Sequence, residues 1–222
     1  MAKIVRRSNE GGRIQRRVRV LFGLSLSCGV ALSLGAVGLI GTSSASATPA
    51  KTNLITNGSF ESPTVCPAPF TTYFAPAKSI RGWTVGGVSV DLICTAFTPE
   101  SGTQSVDLNG SLPDGNLGNA SGSLSQNVRT TPGHKYLLTW FMAGNPSQGC
   151  GPVTKVLHVF WDGKIRESLT FNVSNDSDTS MGWVARRLVV VATARTSVVK
   201  FADATATGDC GATLDNVSLI AK

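Results

Sequence analysis

The chain has 222 residues, with 20 Lys and Arg against 13 Asp and Glu, and a formal net charge of +7. Seven of the basic residues and one acidic residue lie in residues 1–47, which leaves a net charge of +1 for residues 48–222. The basic character therefore belongs to the amino-terminal segment. The rest of the chain lacks the positive footprint of a nucleic-acid-binding protein.

Residues 1–47 have the organisation of an export signal. A basic region is followed by an uncharged stretch from Val20 to Ile40 and then by Ala45-Ser46-Ala47. This order predicts a secretory signal peptide that is cleaved after Ala47. The alternative is a retained membrane anchor, since the apolar stretch has the ~20 residues that a span requires. The small-residue site favours cleavage, and the product is then secreted, extracellular or associated with the cell wall, with no membrane segment.

Residues 48–222 are predicted to form one all-β domain. Short runs of β-forming residues alternate with turn signals, and no run has convincing helical periodicity. The predicted strands are 54–60, 82–85, 89–94, 104–108, 122–128, 135–143, 154–161, 164–173, 183–192, 197–203 and 213–221. Asp162-Gly163 between two of these strands is a strong hairpin signal. This spacing predicts an antiparallel β-sandwich, and the segment is long enough for a single core.

Four cysteines lie in the predicted mature domain, at positions 66, 94, 150 and 210. An even number in an exported chain predicts two disulfides, although three connectivities are possible. Cys150 and Cys210 are each followed by Gly just before a predicted strand, which favours Cys150–Cys210 and therefore Cys66–Cys94. A zinc site is disfavoured because no close Cys-x-x-Cys or Cys/His spacing occurs.

The two ends of this domain each carry a carboxylate. Asn57-Gly58-Ser59-Phe60-Glu61 belongs to the opening segment, and Leu214-Asp215-Asn216-Val217 lies in the last predicted strand. If the terminal strands pair, Glu61 and Asp215 come together as hard oxygen ligands suited to a structural calcium ion. The alternative is that each carboxylate separately caps a turn by accepting from backbone N–H groups.

These two motifs are part of a wider pattern. Between them lie Gly82-Trp83-Thr84-Val85, Ser105-Val106-Asp107-Leu108-Asn109-Gly110 and Gly182-Trp183. The set, from Asn53 to Ile220, resembles the bacterial choice-of-anchor C family, which is similar to the plant cell-wall proteins of the domain of unknown function 642 family. Both are similar to galactose-binding-like jelly rolls, which include many carbohydrate-binding modules.

The resemblance implies a secreted, wall-associated jelly roll of the galactose-binding-like type. It also implies a role for the two terminal carboxylates. Similar modules use the Glu after the opening Phe and the Asp of the closing strand around a structural calcium, and the matching residues are Glu61 and Asp215.

The predicted domain offers little for catalysis. Glycoside hydrolysis usually requires two carboxylates that face one sugar bond. The only three Glu, at positions 61, 100 and 167, suggest no such pair, and His134 and His158 stand alone. A nucleophile and base pair is equally unsupported. The domain is therefore predicted not to be an enzyme.

Polar strand faces are the first candidates for binding. In 104–108, alternation places Asp107 and the following Asn109 opposite the apolar side chains, and Asn127 has the same position in 122–128. If these polar lanes lie side by side, they form the floor of a sugar-binding groove. The alternative is an ordinary solvated sheet face.

Aromatic residues are the second candidates, because their rings stack on the apolar face of a pyranose. Trp161 abuts the hairpin turn, where its ring is predicted to be partly exposed. Phe97 is in a loop-like stretch, as are Tyr73 and Phe74, and could contribute to an aromatic rim. The sequence thus predicts a non-catalytic module that binds a polysaccharide or cell-wall glycan. The alternative is a structural or protein-interaction domain of the envelope without a sugar site.

Overall fold

The computed structural model describes residues 51–116 and 118–222. The predicted signal peptide and its cleavage site lie outside the described residues. The described part is built from β-strands alone, and none of it is a helix long and apolar enough to cross a membrane. The strands are β1 (Phe70–Phe74), β2 (Thr84–Gly87), β3 (Ser89–Ile93), β4 (Ser105–Asp107), β5 (Gly122–Arg129), β6 (Lys135–Gly144), β7 (Thr154–Trp161), β8 (Lys164–Asn172), β9 (Val184–Val191), β10 (Thr196–Asp203) and β11 (Ala212–Ala221).

The strands form two antiparallel sheets. The six-stranded sheet has the order β1-β3-β4-β11-β6-β9, and the five-stranded sheet has the order β2-β5-β10-β7-β8. Neighbours in each sheet are mostly distant in sequence, as in jelly rolls. The prediction of an all-β, antiparallel sandwich of this type is confirmed.

The core lies between the two sheets and follows the alternation of each strand. Val90 and Leu92 of β3 are fully buried, as are Leu138 and Trp140 of β6. Trp140 meets Phe201 of β10 edge to face, with ring centroids 5.5 Å apart, a favourable arrangement for two aromatic rings. Side chains at alternate positions point away from the core, and those of the six-stranded sheet form the site described below.

The predicted strand at 54–60 is wrong, although its neighbourhood is as expected. This segment runs beside β11, where Leu54 N donates to Leu219 O and Val217 N donates to Gly58 O, both over 2.8 Å. Asn57 and Phe60 have φ values of 56° and 58°, in the left-handed region. The backbone therefore turns twice and cannot remain extended, as a strand requires.

The edge strand β1 was not predicted from the sequence, which reads here as a proline-flanked loop. The other ten strands match predicted ones to within a few residues. β1 pairs with β3 and sets Phe70 opposite Ile93, Thr72 opposite Asp91 and Phe74 opposite Ser89. The prolines on both sides of β1 are compatible with an edge strand, where one row of backbone groups needs no partner.

Two disulfides connect the loops. Cys66 is joined to Cys94 and Cys150 to Cys210, with Cα–Cα distances of 5.5 and 5.4 Å, which is the predicted connectivity. The second disulfide joins the connection between β6 and β7 to Cys210, two residues before β11 begins. Both lie beside the outer face of the six-stranded sheet.

Candidate carbohydrate-binding site

Where it is formed by β3, β4 and β11, the outer face of the six-stranded sheet is polar, yet it is buried. Asp91 of β3 and Asp107 of β4 are direct cross-strand neighbours on this face, with exposed fractions of 9% and 1%. Thr213 of β11 lies opposite Asp107 and is completely buried. A solvated sheet face would leave such residues in water, so other parts of the chain must cover it.

Three connections provide the cover, and we refer to them as the loop layer: residues 94–104, 145–152 and 174–183. Two of them are hydrogen-bonded to each other. Thr98 N donates to Asp178 O over 2.8 Å, and Trp183 Nε1 donates to Thr98 O over 3.0 Å. Phe97 and Met181 in these connections are buried, with 7% and 2% of their surface exposed. The loop layer therefore contributes buried side chains to the hydrophobic core of the domain.

A cavity of about 330 Å³ remains open between the sheet and the loop layer, and we call it the main cavity. Its volume lies within the range of small-molecule sites. The lining combines two aromatic rings, three carboxylates, an amide, two hydroxyls and the second disulfide. These residues are Phe70, Phe97, Asp91, Asp178, Asp209, Asn145, Ser111, Ser147, Cys150 and Cys210, with Ile93 and Ala96 completing the wall.

The rings differ in exposure. Phe70 is on the edge strand and is 43% exposed, whereas Phe97 is almost completely buried. The accessible ring is therefore Phe70, and Phe97 supports the wall of the cavity.

Asp91 has the most unusual environment in the main cavity. Its Oδ1 is buried and has no hydrogen-bond partner among the described residues. Burial raises the pKa of Asp91, hydrogen-bonding groups of Thr72 and of the Ser111 backbone oppose the rise, and the negative charge of Asp209 adds to it. An unpaired buried acceptor such as Oδ1 costs about 1–3 kcal/mol.

Asn145 is held in the cavity wall by a buried carboxylate. Its Nδ2 donates to Asp107 Oδ2 over 2.7 Å, and its Oδ1 accepts from Ser147 N over 3.0 Å. Asp107 Oδ1 accepts in turn from the backbone of Asn109 and Gly211, over 2.9 and 3.1 Å. Burial raises the pKa of Asp107 well above its usual value, despite these hydrogen bonds.

The ionisable groups that line the main cavity are all acidic, namely Asp91, Asp178 and Asp209. The nearest buried cation is Lys155 of β7, which is 1% exposed and donates from Nζ to Cys210 O over 2.9 Å. Burial lowers the pKa of Lys155, while nearby carboxylates, Asp209 among them, oppose that shift. The ammonium group is thus engaged inside the protein, and the open surface of the cavity is negative.

Two further spaces adjoin the main cavity around residues 145–152. One of about 210 Å³ shares Ser147 and Asp178 with the main cavity. The next, of about 320 Å³, shares Ser147, Gln148 and Asp176 with that one and reaches Lys155. We call the three together the acidic groove.

A further space of about 480 Å³ lies at the other end of the strands, between residues 129–132 and Arg195 and Thr196. Its lining contains no aromatic ring, carboxylate or carboxamide. It therefore lacks the groups with which proteins recognise sugars.

The predicted groove floor is wrong. Asp107 lies in β4 of the six-stranded sheet, and Asn109 comes just after this strand. Asn127 lies in β5, which belongs to the five-stranded sheet. Their polar faces point to opposite sides of the sandwich. Asn109 is also completely buried, and its Nδ2 donates to Asp203 Oδ2 and Gly208 O over 3.2 and 3.1 Å.

The prediction of an exposed Trp161 ring is also wrong. Trp161 is 4% exposed, its Nε1 donates to Val191 O over 3.0 Å, and its ring lies 6.5 Å from that of Tyr136. The reason is strand alternation, since Leu157, Val159 and Trp161 share the core face of β7. The hairpin turn begins beyond the ring and does not expose it.

The structure thus brings one predicted binding residue, Phe97, into the main cavity and places Asp107 directly beneath it. Phe70, Asp91, Asn145, Asp178 and Asp209 were not predicted. One local signal pointed to Asp91, which interrupts the apolar run of β3 at an outward position. The other four lie in a strand that was not predicted or in connections between strands, where the sequence has no periodic pattern.

Glu61 and Asp215 both contact one connection of the loop layer. Asp215 Oδ2 accepts from Glu100 N and Ser101 N, both over 2.9 Å. Glu61 Oε1 accepts from Thr103 N and Gln104 N, over 2.9 and 3.0 Å.

The hydrogen-bond donors to these two carboxylates are backbone N–H groups and the Thr103 hydroxyl, and the Glu100 carboxylate lies nearby. A calcium ion requires about six to eight oxygens. This donor set fits turn capping better than a shared ion, and calcium at these residues stays a prediction. Burial raises the pKa of Asp215 to about 7, although three backbone N–H groups oppose the rise.

The fold and the cavity define a jelly-roll β-sandwich with a covered, acid-lined site on one outer sheet face. The chain belongs to the family described as protein of unknown function (DUF642), whose model matches residues 53–220. This confirms the resemblance to the 642 family noted from the sequence motifs.

Other similarities are more distant. The chain is 27% identical over 176 residues to halomucin of Haloquadratum walsbyi, which covers 76% of the chain but only 2% of halomucin. A family 35 carbohydrate-binding module from Clostridium thermocellum is 14% identical, with a TM-score of 0.43 and coverage of 67% of this chain and 97% of the module. TmCBM61 in complex with beta-1,4-galactotriose is 16% identical, with a TM-score of 0.43 and coverage of 78% of this chain and 100% of that one.

Proposed function

We propose that the domain is a secreted, non-catalytic module that binds a cell-wall or extracellular glycan in the main cavity. One observation carries this proposal: the exposed Phe70 ring lines the same cavity as the Asn145 amide and the Asp91 carboxylate. An aromatic ring beside fixed amide and carboxylate groups is the combination that recognises a sugar, because pyranoses have an apolar face and a rim of hydroxyls.

Each of these groups has a distinct role. The Phe70 ring is free to stack on a sugar, since Phe70 is on an edge strand and is partly exposed. Asn145 is fixed by its bond to Asp107, so it loses little entropy on binding. The Asp91 carboxylate lines the cavity and accepts from a ligand hydroxyl.

The adjoining spaces of the acidic groove favour a chain of sugars over a single unit. A second space adjoins the main cavity at Ser147 and Asp178, which offers room for a glycan that extends beyond the ring stacked on Phe70. Two disulfides support an extracellular location, since such bonds persist in oxidising compartments.

The test starts with a glycan array probed with residues 48–222. Titration calorimetry then compares the wild type with Phe70→Ala and, as a matched control, Phe74→Ala. Both residues are on β1 and they are 43% and 41% exposed, but Phe74 does not line the cavity. We expect Phe70→Ala to weaken binding about tenfold, roughly 1.4 kcal/mol, and Phe74→Ala to leave it unchanged.

Two results would count against this function. Equal losses for the two Phe variants would place the glycan elsewhere on the domain. A blank array would instead favour the alternative of a structural or protein-interaction domain of the envelope.

A second candidate function is hydrolysis of the bound glycan. One observation favours it: Asp91 has a raised pKa and shares the cavity with Asp209, and glycosidases pair a protonated carboxyl with an ionised one. A reducing-end assay on each glycan that binds decides the matter. Turnover that is lost in Asp91→Asn, with binding retained, would establish an enzyme.

A further inference from the structure

The acidic groove has a charge pattern that narrows the class of glycan. Four carboxylates line it, from Asp91 and Asp209 in the main cavity through Asp178 to Asp176 at the far end. Among the described residues, the one cation in the lining is Lys155, whose ammonium is buried and bonded to Cys210 O. The described lining of the groove therefore exposes carboxylates and no cationic group.

Asp91 gives a second and independent indication of what the groove binds. Nine-tenths of this residue is buried, and the unpartnered Oδ1 belongs to a side chain in the cavity wall. Asp107 lies directly across the strands, so a charge on one carboxylate opposes a charge on the other. A cationic donor at Asp91 would pair with its carboxylate and offset this opposition.

We propose that the acidic groove binds a glycan with free amino groups, that is, a chain of amino sugars whose nitrogen atoms carry no acyl group. This inference rests on the proposed function, because it assigns the charge of the ligand that occupies the same site. A sugar ammonium group has three N–H donors and a positive charge, which match Asp91 together with Asp209 or Asp178.

The same charges work against two other classes of glycan. A uronic acid would add a further carboxylate to a groove that already holds four, and like charges in a partly buried site repel strongly. An N-acetylated sugar has an amide N–H that can donate to Asp91, but it has no charge to balance the groove. Selectivity for the free amine therefore depends on the carboxylates, and stacking on Phe70 is common to all three classes.

The experiment compares two probes of equal length, the β-1,4-linked tetramer of glucosamine and the tetramer of N-acetylglucosamine. Titration calorimetry with residues 48–222 is run in the presence of a chelator, so that no divalent cation mediates binding. We expect the free-amine tetramer to bind at least tenfold more tightly, since hydrogen bonds to charged groups are stronger than neutral ones. This preference should fall as the salt concentration rises.

Variants locate the effect. Asp178 is exposed, so Asp178→Asn should leave folding intact. Asp91→Asn removes the charge of the Asp91 carboxylate. Asp178→Asn should lower the affinity for the free-amine tetramer about tenfold and leave that for the acetylated tetramer unchanged. Asp91→Asn should weaken binding of both tetramers, and that of the free-amine tetramer more. The matched control is Asp162→Asn, an exposed residue at the β7–β8 turn in the other sheet.

Each other outcome has a definite meaning. If neutral glycans bind in a Phe70-dependent way but the free amine brings no gain, the amino-sugar assignment is overturned and the binding function stands. If no glycan of any class binds, both proposals fail. Equal binding of a lysine tetrapeptide would also overturn the assignment, because the groove would then recognise any cation.

Discussion

Asn145 donates a hydrogen bond to Asp107 Oδ2 over 2.7 Å, and this bond connects the wall of the main cavity to the buried face of the six-stranded sheet. Asp107 cannot move, because backbone N–H groups of Asn109 and Gly211 hold its other oxygen. A buried carboxylate therefore determines where an amide in the cavity wall points. If the proposed binding site is correct, binding and stability are coupled at this pair.

Asn145→Ala should reduce both properties. The variant removes one donor from a buried carboxylate, which costs about 1–3 kcal/mol of unfolding free energy, and it removes an amide from the cavity. Urea denaturation of residues 48–222 measures the first effect. Asn127→Ala, on the exposed face of β5, is the control and should change stability by less than about 0.5 kcal/mol. Equal stabilities for the two variants would contradict the coupling.

Trp161→Ala should destabilise the fold. It should not change glycan binding by the molecules that remain folded. Trp161 is 4% exposed and packs against Tyr136, so its truncation leaves a core cavity that costs about 3–5 kcal/mol. The measurement is a thermal melt together with retention on insoluble polysaccharide below the melting temperature. A variant with an unchanged melting temperature and lost retention would show that the ring serves binding after all. Phe160→Ala, on the opposite face of β7 and half-buried, should cost less.

Asp215 should make stability depend on pH. Its pKa is about 7 in the folded protein against 3.8 in the unfolded chain, so the folded state binds more protons between these values. The contribution of Asp215 to unfolding free energy should therefore increase as the pH falls from about 7 towards 4, by at most about 4 kcal/mol. Other raised carboxylates, Asp91 and Asp107, act in the same direction.

Comparison with Asp215→Asn isolates this residue, because the variant cannot titrate at position 215. Urea unfolding at pH 5 and pH 8, with a chelator present, should show that the wild type gains more on acidification than the variant does. If the unfolding free energies of the wild type and the variant differ by the same amount at both pH values, a raised pKa at Asp215 is excluded.

Calcium at Glu61 and Asp215 remains a prediction, and a thermal melt tests it. An ion bound only by the folded state, at about a hundredfold over its Kd, adds ~2.7 kcal/mol and raises the melting temperature by roughly 5–10 °C. The melt is recorded with excess chelator and then with millimolar calcium, and Asp215→Asn should lose the increase. If calcium does not change the melting temperature, both carboxylates serve only as caps of residues 100–104, in agreement with their N–H partners.

The amino-acid sequence by itself determined the strands and their faces. Alternation and turn residues are local properties, so ten strands and the Asp162-Gly163 hairpin could be predicted from neighbouring residues alone. The sequence also favoured the observed disulfides, since the matching contexts of Cys150 and Cys210 selected one of three connectivities. The local pattern failed to predict the structure of residues 54–60. Asn57 and Phe60 have left-handed backbone conformations there, which bend the chain.

Only the tertiary structure decided which sheet each strand joins and what covers its outer face. Asp107 and Asn127 have the same local pattern, yet one lies beneath a cavity and the other is exposed on the opposite sheet. The main cavity combines Phe70, Asp91 and Asn145 with residues from distant connections. Long-range strand pairing brings these residues together, and that pairing depends on the packing of the whole core, which no local period in the sequence records.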